Sequence, residues 1–190
     1  MTQRRRSADQ QTRILNAFED ILLECGPRAA TLDAVAKSVS LSRSGLLHHY
    51  CSRKALIDGL IERLNDLVDK DIEELHRAST SPLGYYIASS LDLNHPVERT
   101  IAAVSKLASG GLDIAKLALR EAREKWFEAL LSHTNDPTLV RLTMLVGDGL
   151  SYNIEMCANK EDDPFVSPHS VEEIIERLSE LSERQVKTRA

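Results

Sequence analysis

The sequence predicts an all-α protein, and three observations carry that prediction. Apolar residues recur three and four apart in segment after segment, and no stretch alternates at period two over a useful length. Leu, Ala, Ile, Glu and Arg are plentiful while aromatics make up only 4% of the chain, a balance that favours helix over sheet. Capping residues and breakers divide the periodic segments into helix-sized pieces. About nine helices result.

Residues 1–8 are polar and basic, with Arg4, Arg5 and Arg6, and read as a mobile arm. Residues 8–25 carry Ile14, Leu15, Ala17, Phe18, Ile21, Leu22 and Cys25 at helical spacing, and Gly26-Pro27 stops that helix, since glycine suits the position after a helix end and proline cannot continue it. Thr31 is a natural N-cap for a second helix to residue 39 that buries Leu32, Val35, Ala36 and Val39, with Asp33 favourable in its first turn. Ser40-Leu41-Ser42 is a turn, Ser42 caps a short third helix over 43–50, and Ser52 caps a long fourth helix to about residue 78. Leu56, Ile57, Leu60, Ile61, Leu64, Leu67, Val68, Ile72 and Leu75 share one face of that fourth helix. After a break at 79–82, helices are predicted over 83–93, from Pro96 to 108, over 112–133 beyond the Gly110-Gly111 break, and over 138–158 behind the cap Asn135-Asp136-Pro137. An acidic loop over 160–168 leads to a last helix, capped by Ser170 and running to about 183.

A chain of 190 residues suits one large domain or two small ones and is long enough to bury a core. Its net charge of −5 hides an asymmetry. Residues 1–54 hold nine Lys/Arg and five Asp/Glu, a net of +4, whereas the remainder is −9. A basic head on an acidic body points to a polyanion at the head only. The three cysteines show no CxxC spacing and read as reduced thiols, Cys51 as a small buried or half-buried residue. There is no signal-peptide pattern, no run long enough to span a membrane and no repeat. The expectation is a cytoplasmic protein with no cofactor and no metal. Adjacent His48 and His49 cannot share one helix face.

Residues 31–50, "TLDAVAKSVSLSRSGLLHHY", have the form helix, three-residue turn, short helix. A helix-turn-helix of this kind lays its second helix in the major groove, N-terminal residues at base edges. Arg43 can donate twice to guanine, Ser44 is compatible with several bases, and Gly45 lets backbone come close. Thr31, His49, Arg53 and Lys54 are natural phosphate partners, as are helix N-termini. Leu46 and Tyr50, four apart, face inward toward Val35, Ala36 and Val39.

Residues 10–60 resemble the TetR family of bacterial repressors. The pattern reads here as "TLDAVAKS", "SLS", "RSG", "LLHHY" and "SRKAL", with Thr31, Ala36, Ser42, Leu46, His49, Tyr50, Ser52, Arg53 and Leu56 on matching positions. Two residues depart from it. Ser40 stands where the family has a turn glycine, and Leu47 where it has a tyrosine that often touches the DNA backbone. The resemblance implies that residues 1–54 are the DNA-binding domain, with Arg43, Ser44, Gly45 and His48 facing bases. Thr31, His49, Arg53 and Lys54 face phosphates, and Ser42 belongs to the same DNA-binding set. It further implies that residues 55–190 bind an effector and dimerise, making the protein a homodimeric repressor released from a palindromic operator by a small molecule.

"NDPTLVRLTMLVGDGLSYNIEM" resembles the eighth helix of a TetR subgroup at Asp136, Pro137, Asp148, Gly149 and Leu150. In this fold the last two helices pair with their copies, which nominates Leu145, Ile154, Ile174, Leu178 and Leu181 for the dimer interface. Tyr85, Tyr86, Arg123, Trp126, His133, Asp148, Tyr152 and Asn153 are polar or aromatic residues among apolar ones, and are the candidates for an effector pocket. Asp148 is costly to bury without a partner. It meets either a cationic ligand, or Arg123, Arg120 or a backbone amide, or solvent. Trp126 is either core or a ligand platform. Two other classes remain as alternatives: a helical enzyme, for which no Walker, Rossmann, HExxH or GxSxG pattern is present, and a protein-binding adaptor with a vestigial DNA head.

Overall fold

The computed structural model describes residues 2–79, 81–157, 159 and 161–189, with the backbone alone for 2–6 and 183–189. Among the described residues there are nine helices and no strand: α1 (Thr2–Cys25), α2 (Leu32–Ser38), α3 (Arg43–His49), α4 (Arg53–Arg77), α5 (Pro82–Ser90), α6 (Pro96–Ser109), α7 (Asp113–Thr134), α8 (Pro137–Met156) and α9 (Pro168–Arg189). The all-α expectation holds.

The ends of these helices follow local chemistry. Gly26 takes φ +80 and returns its N–H to the Leu22 carbonyl at 3.2 Å, the left-handed stop that a side chain resists. Thr31 accepts from the Ala34 N–H at 3.2 Å, Ser42 from the Gly45 N–H at 3.0 Å, and Ser52 from the Ala55 N–H at 3.0 Å, so all three predicted caps form. Asp136 caps α8 through the N–H groups of Thr138 and Leu139.

Several expectations need correction. The backbone is helical from Thr2, so the basic stretch continues α1 rather than preceding it; its Arg and Gln are good helix formers. The side chains of Arg4, Arg5 and Arg6 lie outside the described residues, as do Lys160 and Ala158, the expected end of the eighth helix. The fifth helix ends at Ser90, not 93, because Asp92 turns its carboxylate onto the Asn94 N–H at 3.0 Å, a local bond that competes with helix. Ser167, not Ser170, caps α9: it accepts the Ser170 N–H at 3.3 Å and puts Pro168 at the first helical position, where proline is favoured. Cys25 and Cys51 are exposed rather than packed.

The chain packs as two compact units, Met1–Leu67 with Arg99–Ala122, and Val68–Glu98 with Arg123–Ala190. In the first, Ile14, Phe18, Leu22, Val35, Leu46, Leu56, Leu60 and Leu64 are buried, each worth roughly 1.5–3 kcal/mol against exposure. A buried ion pair stiffens it. Glu19 on α1 accepts from Arg63 of α4 at 3.0 Å and from the Thr100 hydroxyl of α6 at 2.6 Å. Arg63 also donates to Asn16 at 2.9 Å, and Arg99 pairs with Asp20. In the second unit α5 packs on α8 and α9, around Leu83, Ile87, Leu130, Val140 and Met144.

Candidate nucleic-acid interface and effector site

The helix-turn-helix is built as its sequence requires. Leu46 is fully buried under α3. Tyr50, its C-cap, is held by a close approach to α4: a Cβ on Gly59 would stand 2.9 Å from the Tyr50 ring. With that side anchored, Arg43, Ser44 and His48 face outward and are exposed, Gly45 and His49 are half-buried, and Thr31 and Ser42 are exposed at the helix starts. Ser44 lies 3.0 Å from the Ser42 hydroxyl. Arg43 pairs with Asp33 of α2 at 3.1 Å.

Two basic residues nominated for phosphate differ in placement. Lys54 is exposed and, among the described residues, pairs along its own helix, with Asp58 at 2.6 Å. Arg53 turns inward, donating through Nε to the Ala30 carbonyl at 3.0 Å and through Nη2 to the Pro27 carbonyl at 2.9 Å. Its guanidinium closes the α1–α2 loop, which needs acceptors satisfied more than a phosphate contact needs a donor.

In the second unit the nominated pocket residues separate into two groups. Tyr85, Tyr86, Trp126, Arg123 and Asp148 gather around a carboxylate the sequence reading passed over, Asp71 of α4. Asp71 is 3% exposed. It accepts from the Trp126 Nε1–H at 2.7 Å and from the Tyr85 hydroxyl at 3.0 Å, and the Tyr86 ring packs edge-on against Trp126. Burial, then the nearby carboxylates, push the Tyr85 hydroxyl up from its ordinary pKa. Asp148 resolves to the plainer of its readings, a two-bond pair with Arg123 at 2.9 and 2.6 Å, and that bond raises the Arg123 pKa. Glu98, in the first turn of α6, was also missed. Burial, and then the charges of Asp71, Asp148 and Asp92, push its carboxyl up to about 7. The other nominees lie elsewhere: His133 bonds His76 at 2.8 Å, Asn153 returns to the Gly149 carbonyl of its own helix, and Tyr152 is 64% exposed.

No protein-family model matches the chain. It is similar to the HTH-type transcriptional regulator UidR of Escherichia coli K12, E. coli O157:H7 and Shigella flexneri, 32% identical over 106 residues, which is 54% of this chain. The chain spans about half the length of these regulators, 52%. Among solved structures, Salmonella enterica GusR aligns with a TM-score of 0.64 at 17% identity over 91% of this chain and 95% of that one. The multidrug binding protein EbrR, complexed with imidazole, aligns with a TM-score of 0.57 at 20% identity over 90% and 89%. In sequence the chain is similar to HTH-type transcriptional regulators, and in fold to GusR and EbrR. The relatives it matches in sequence are regulators of transcription, not enzymes.

The residues nominated for dimerisation also divide. Ile154 and Leu178 are buried in the chain's own packing and Ile174 is half-buried, while Leu145 is 61% exposed and Leu181 exposed. Leu142, Leu145, Tyr152 and Met156 are all exposed on α8. With Gly149, where a Cβ would meet nothing within 4 Å, they run alternately three and four apart, the spacing of a helix–helix seam. Tyr152 therefore belongs with this seam and not with the Asp71 cluster. Among the described residues no helix is long and apolar enough to cross a membrane, and no group of three or more His, Cys, Asp or Glu is placed to hold a metal ion.

Proposed function

We propose that this protein is a ligand-responsive, homodimeric transcriptional repressor that binds a palindromic operator through residues 1–54 and senses a small molecule through residues 55–190. The observation that carries the reading is the outward face of α3. Arg43, Ser44 and His48 are exposed while Leu46 and Tyr50 anchor the opposite side, the division of labour a major-groove helix needs. Thr31, His49, Lys54 and the helix N-termini supply the phosphate contacts, with Arg53 holding the loop beneath them.

One such head covers too few base pairs for strong specificity; two, about 34–36 Å apart or a multiple of it, read a palindrome. The exposed α8 seam with Leu181 of α9 supplies the apolar surface for the second copy. The effector site is the cluster of Tyr85, Tyr86 and Trp126 with Asp71, Glu98, Arg123 and Asp148. Its carboxylates outweigh its guanidinium, which suits an effector with a cationic group. The effector needs only a differential affinity for the two states; weakening operator binding by about 100-fold requires about 3 kcal/mol. Action on the chromosome makes the protein cytoplasmic.

The test is footprinting of the duplex flanking its own gene, with Arg43→Ala as the control. The reading expects a protected palindrome, binding that weakens steeply with salt, and loss of about 1–3 kcal/mol of discrimination in the variant. Indifference to duplex DNA at low salt would overturn it.

A further inference from the structure

Asp33 is out of place on a surface meant for a polyanion. It is an exposed carboxylate on the DNA-facing side of α2, paired with the first residue of the recognition helix. Stability does not account for it. The pair is more than half exposed on both sides, and exposed pairs contribute little. Nor is Asp33 the cap of α2, since Thr31 fills that role.

The geometry of the pair is informative. A single guanidinium nitrogen, Arg43 Nη1, donates to both carboxylate oxygens of Asp33, at 3.1 and 3.3 Å. Among the described residues Arg43 makes no other hydrogen bond. The opposite edge, Nε–H with Nη2–H, therefore stays free. That edge is a fork of two parallel donors, the form that matches O6 and N7 of guanine. Asp33 thus occupies Arg43 without consuming its reading edge.

Two consequences follow from charge and entropy. A long, flexible side chain already held in one arrangement loses less freedom when it docks on a base. With Nη1 committed to a carboxylate, Arg43 is also a poorer partner for a passing phosphate. The negative charge of Asp33 repels the backbone of every duplex equally, so only a sequence that engages the free fork offsets the repulsion. The entropic effect favours the engaged base and the charge effect weakens sequence-independent contact, so each widens the gap between specific and non-specific binding, which is how discrimination is raised.

We infer that Asp33 is a specificity-determining residue of the DNA head: it buttresses Arg43 so that the Nε/Nη2 edge reads guanine, and it penalises sequence-independent contact. The inference rests on the DNA-binding reading and names a residue outside the base- and phosphate-contacting set.

The experiment is selection from a random-sequence duplex library with the full-length wild type, Asp33→Asn and Arg43→Ala, with thermal unfolding of each to establish that it is folded. The wild type is expected to enrich a two-fold symmetric motif with a guanine in each half-site, and Arg43→Ala to lose the preference at that position alone. Asp33→Asn should keep the rest of the motif while its guanine preference falls about tenfold. Its affinity for random duplex should rise about threefold and the salt dependence steepen by about one phosphate contact. Unchanged guanine preference in Asp33→Asn, or a wild-type motif with no position that depends on Arg43, overturns the inference and leaves the DNA-binding reading standing. A wild type that enriches nothing overturns both.

Discussion

Glu98 makes the stability of this protein depend on pH in a direction opposite to that of most carboxylates. It lies in the first turn of α6, where the helix dipole favours a negative charge, yet burial and the facing carboxylates of Asp71, Asp148 and Asp92 outweigh the dipole and raise it from 4.5 to about 7. The sign is then fixed. Below pH 4.5 the group is protonated in both states and contributes nothing. As pH rises the unfolded chain releases its proton first, so stability falls until about pH 7, above which the whole penalty is present. At about 1.4 kcal/mol per pH unit, the interval from 4.5 to about 7 amounts to about 3 kcal/mol. Because Glu98 is only half-buried, water screens it and about 2 kcal/mol is the expected effect. Glu98→Gln removes the titration. Urea unfolding of parent and variant at pH 4.5, 6 and 8 should give curves that diverge with pH, the variant ahead by about 2 kcal/mol at pH 8. Any cost of burying the amide is constant and shifts both ends alike. A gap between the two proteins that does not change with pH would refute the reasoning.

Arg53→Ala should lower the melting temperature, because it leaves the Ala30 and Pro27 carbonyls without their donor at about 1–3 kcal/mol. It should leave the slope of DNA affinity against salt unchanged; a slope reduced by one contact would return Arg53 to the phosphate set. Leu145→Glu puts a charge in the middle of the exposed α8 seam and should convert a dimer to monomer in sedimentation equilibrium with its helical content intact. Dimers persisting in that variant would place the interface elsewhere.

Most of the fold was legible because its boundaries are local. Thr31, Ser42, Ser52, Asp136 and Gly26 act within a few residues of themselves, and the sequence contains all that decides them. The missed cap at Ser167 was equally local: Pro168 fixes the start of α9, and a proline rule applied there finds it. Asp71 was harder. It continues the stripe of Leu64, Val68 and Leu75 on α4, so its position implies burial, but its partners Tyr85 and Trp126 come from other helices. The signal was a carboxylate at an apolar position of a periodic face, and Glu19 beside Phe18 and Leu22 gives the same signal. Arg53 shows the converse limit. Sequence reports a charge near a recognition helix, but whether the guanidinium meets a phosphate or a loop carbonyl depends on where residues 27–30 fold back.

Ser40 is unusual both in sequence and in backbone conformation. In sequence it stands where the resembled family has glycine, and in the structure it takes φ 56, the left-handed region in which a Cβ crowds the backbone. The turn holds it there. Its N–H bonds the Lys37 carbonyl at 3.2 Å and the next N–H, of Leu41, bonds the Ala36 carbonyl at 2.9 Å, closing α2 in the manner of a helix stop that glycine normally serves. A non-glycine residue there costs about 1–2 kcal/mol, while glycine adds unfolded-chain entropy worth about 0.4–1 kcal/mol against folding. Ser40→Gly should therefore stabilise the protein by roughly 0.5–1 kcal/mol, read as a higher urea midpoint at unchanged slope. Ser40→Val, which crowds the same conformation further, should destabilise by more than glycine stabilises. Both changes act on the three-residue turn that orients α3, so operator affinity should move with the turn in the valine variant and hold in the glycine one. A glycine variant less stable than the parent would mean that the serine hydroxyl, not the backbone, is what this turn depends on.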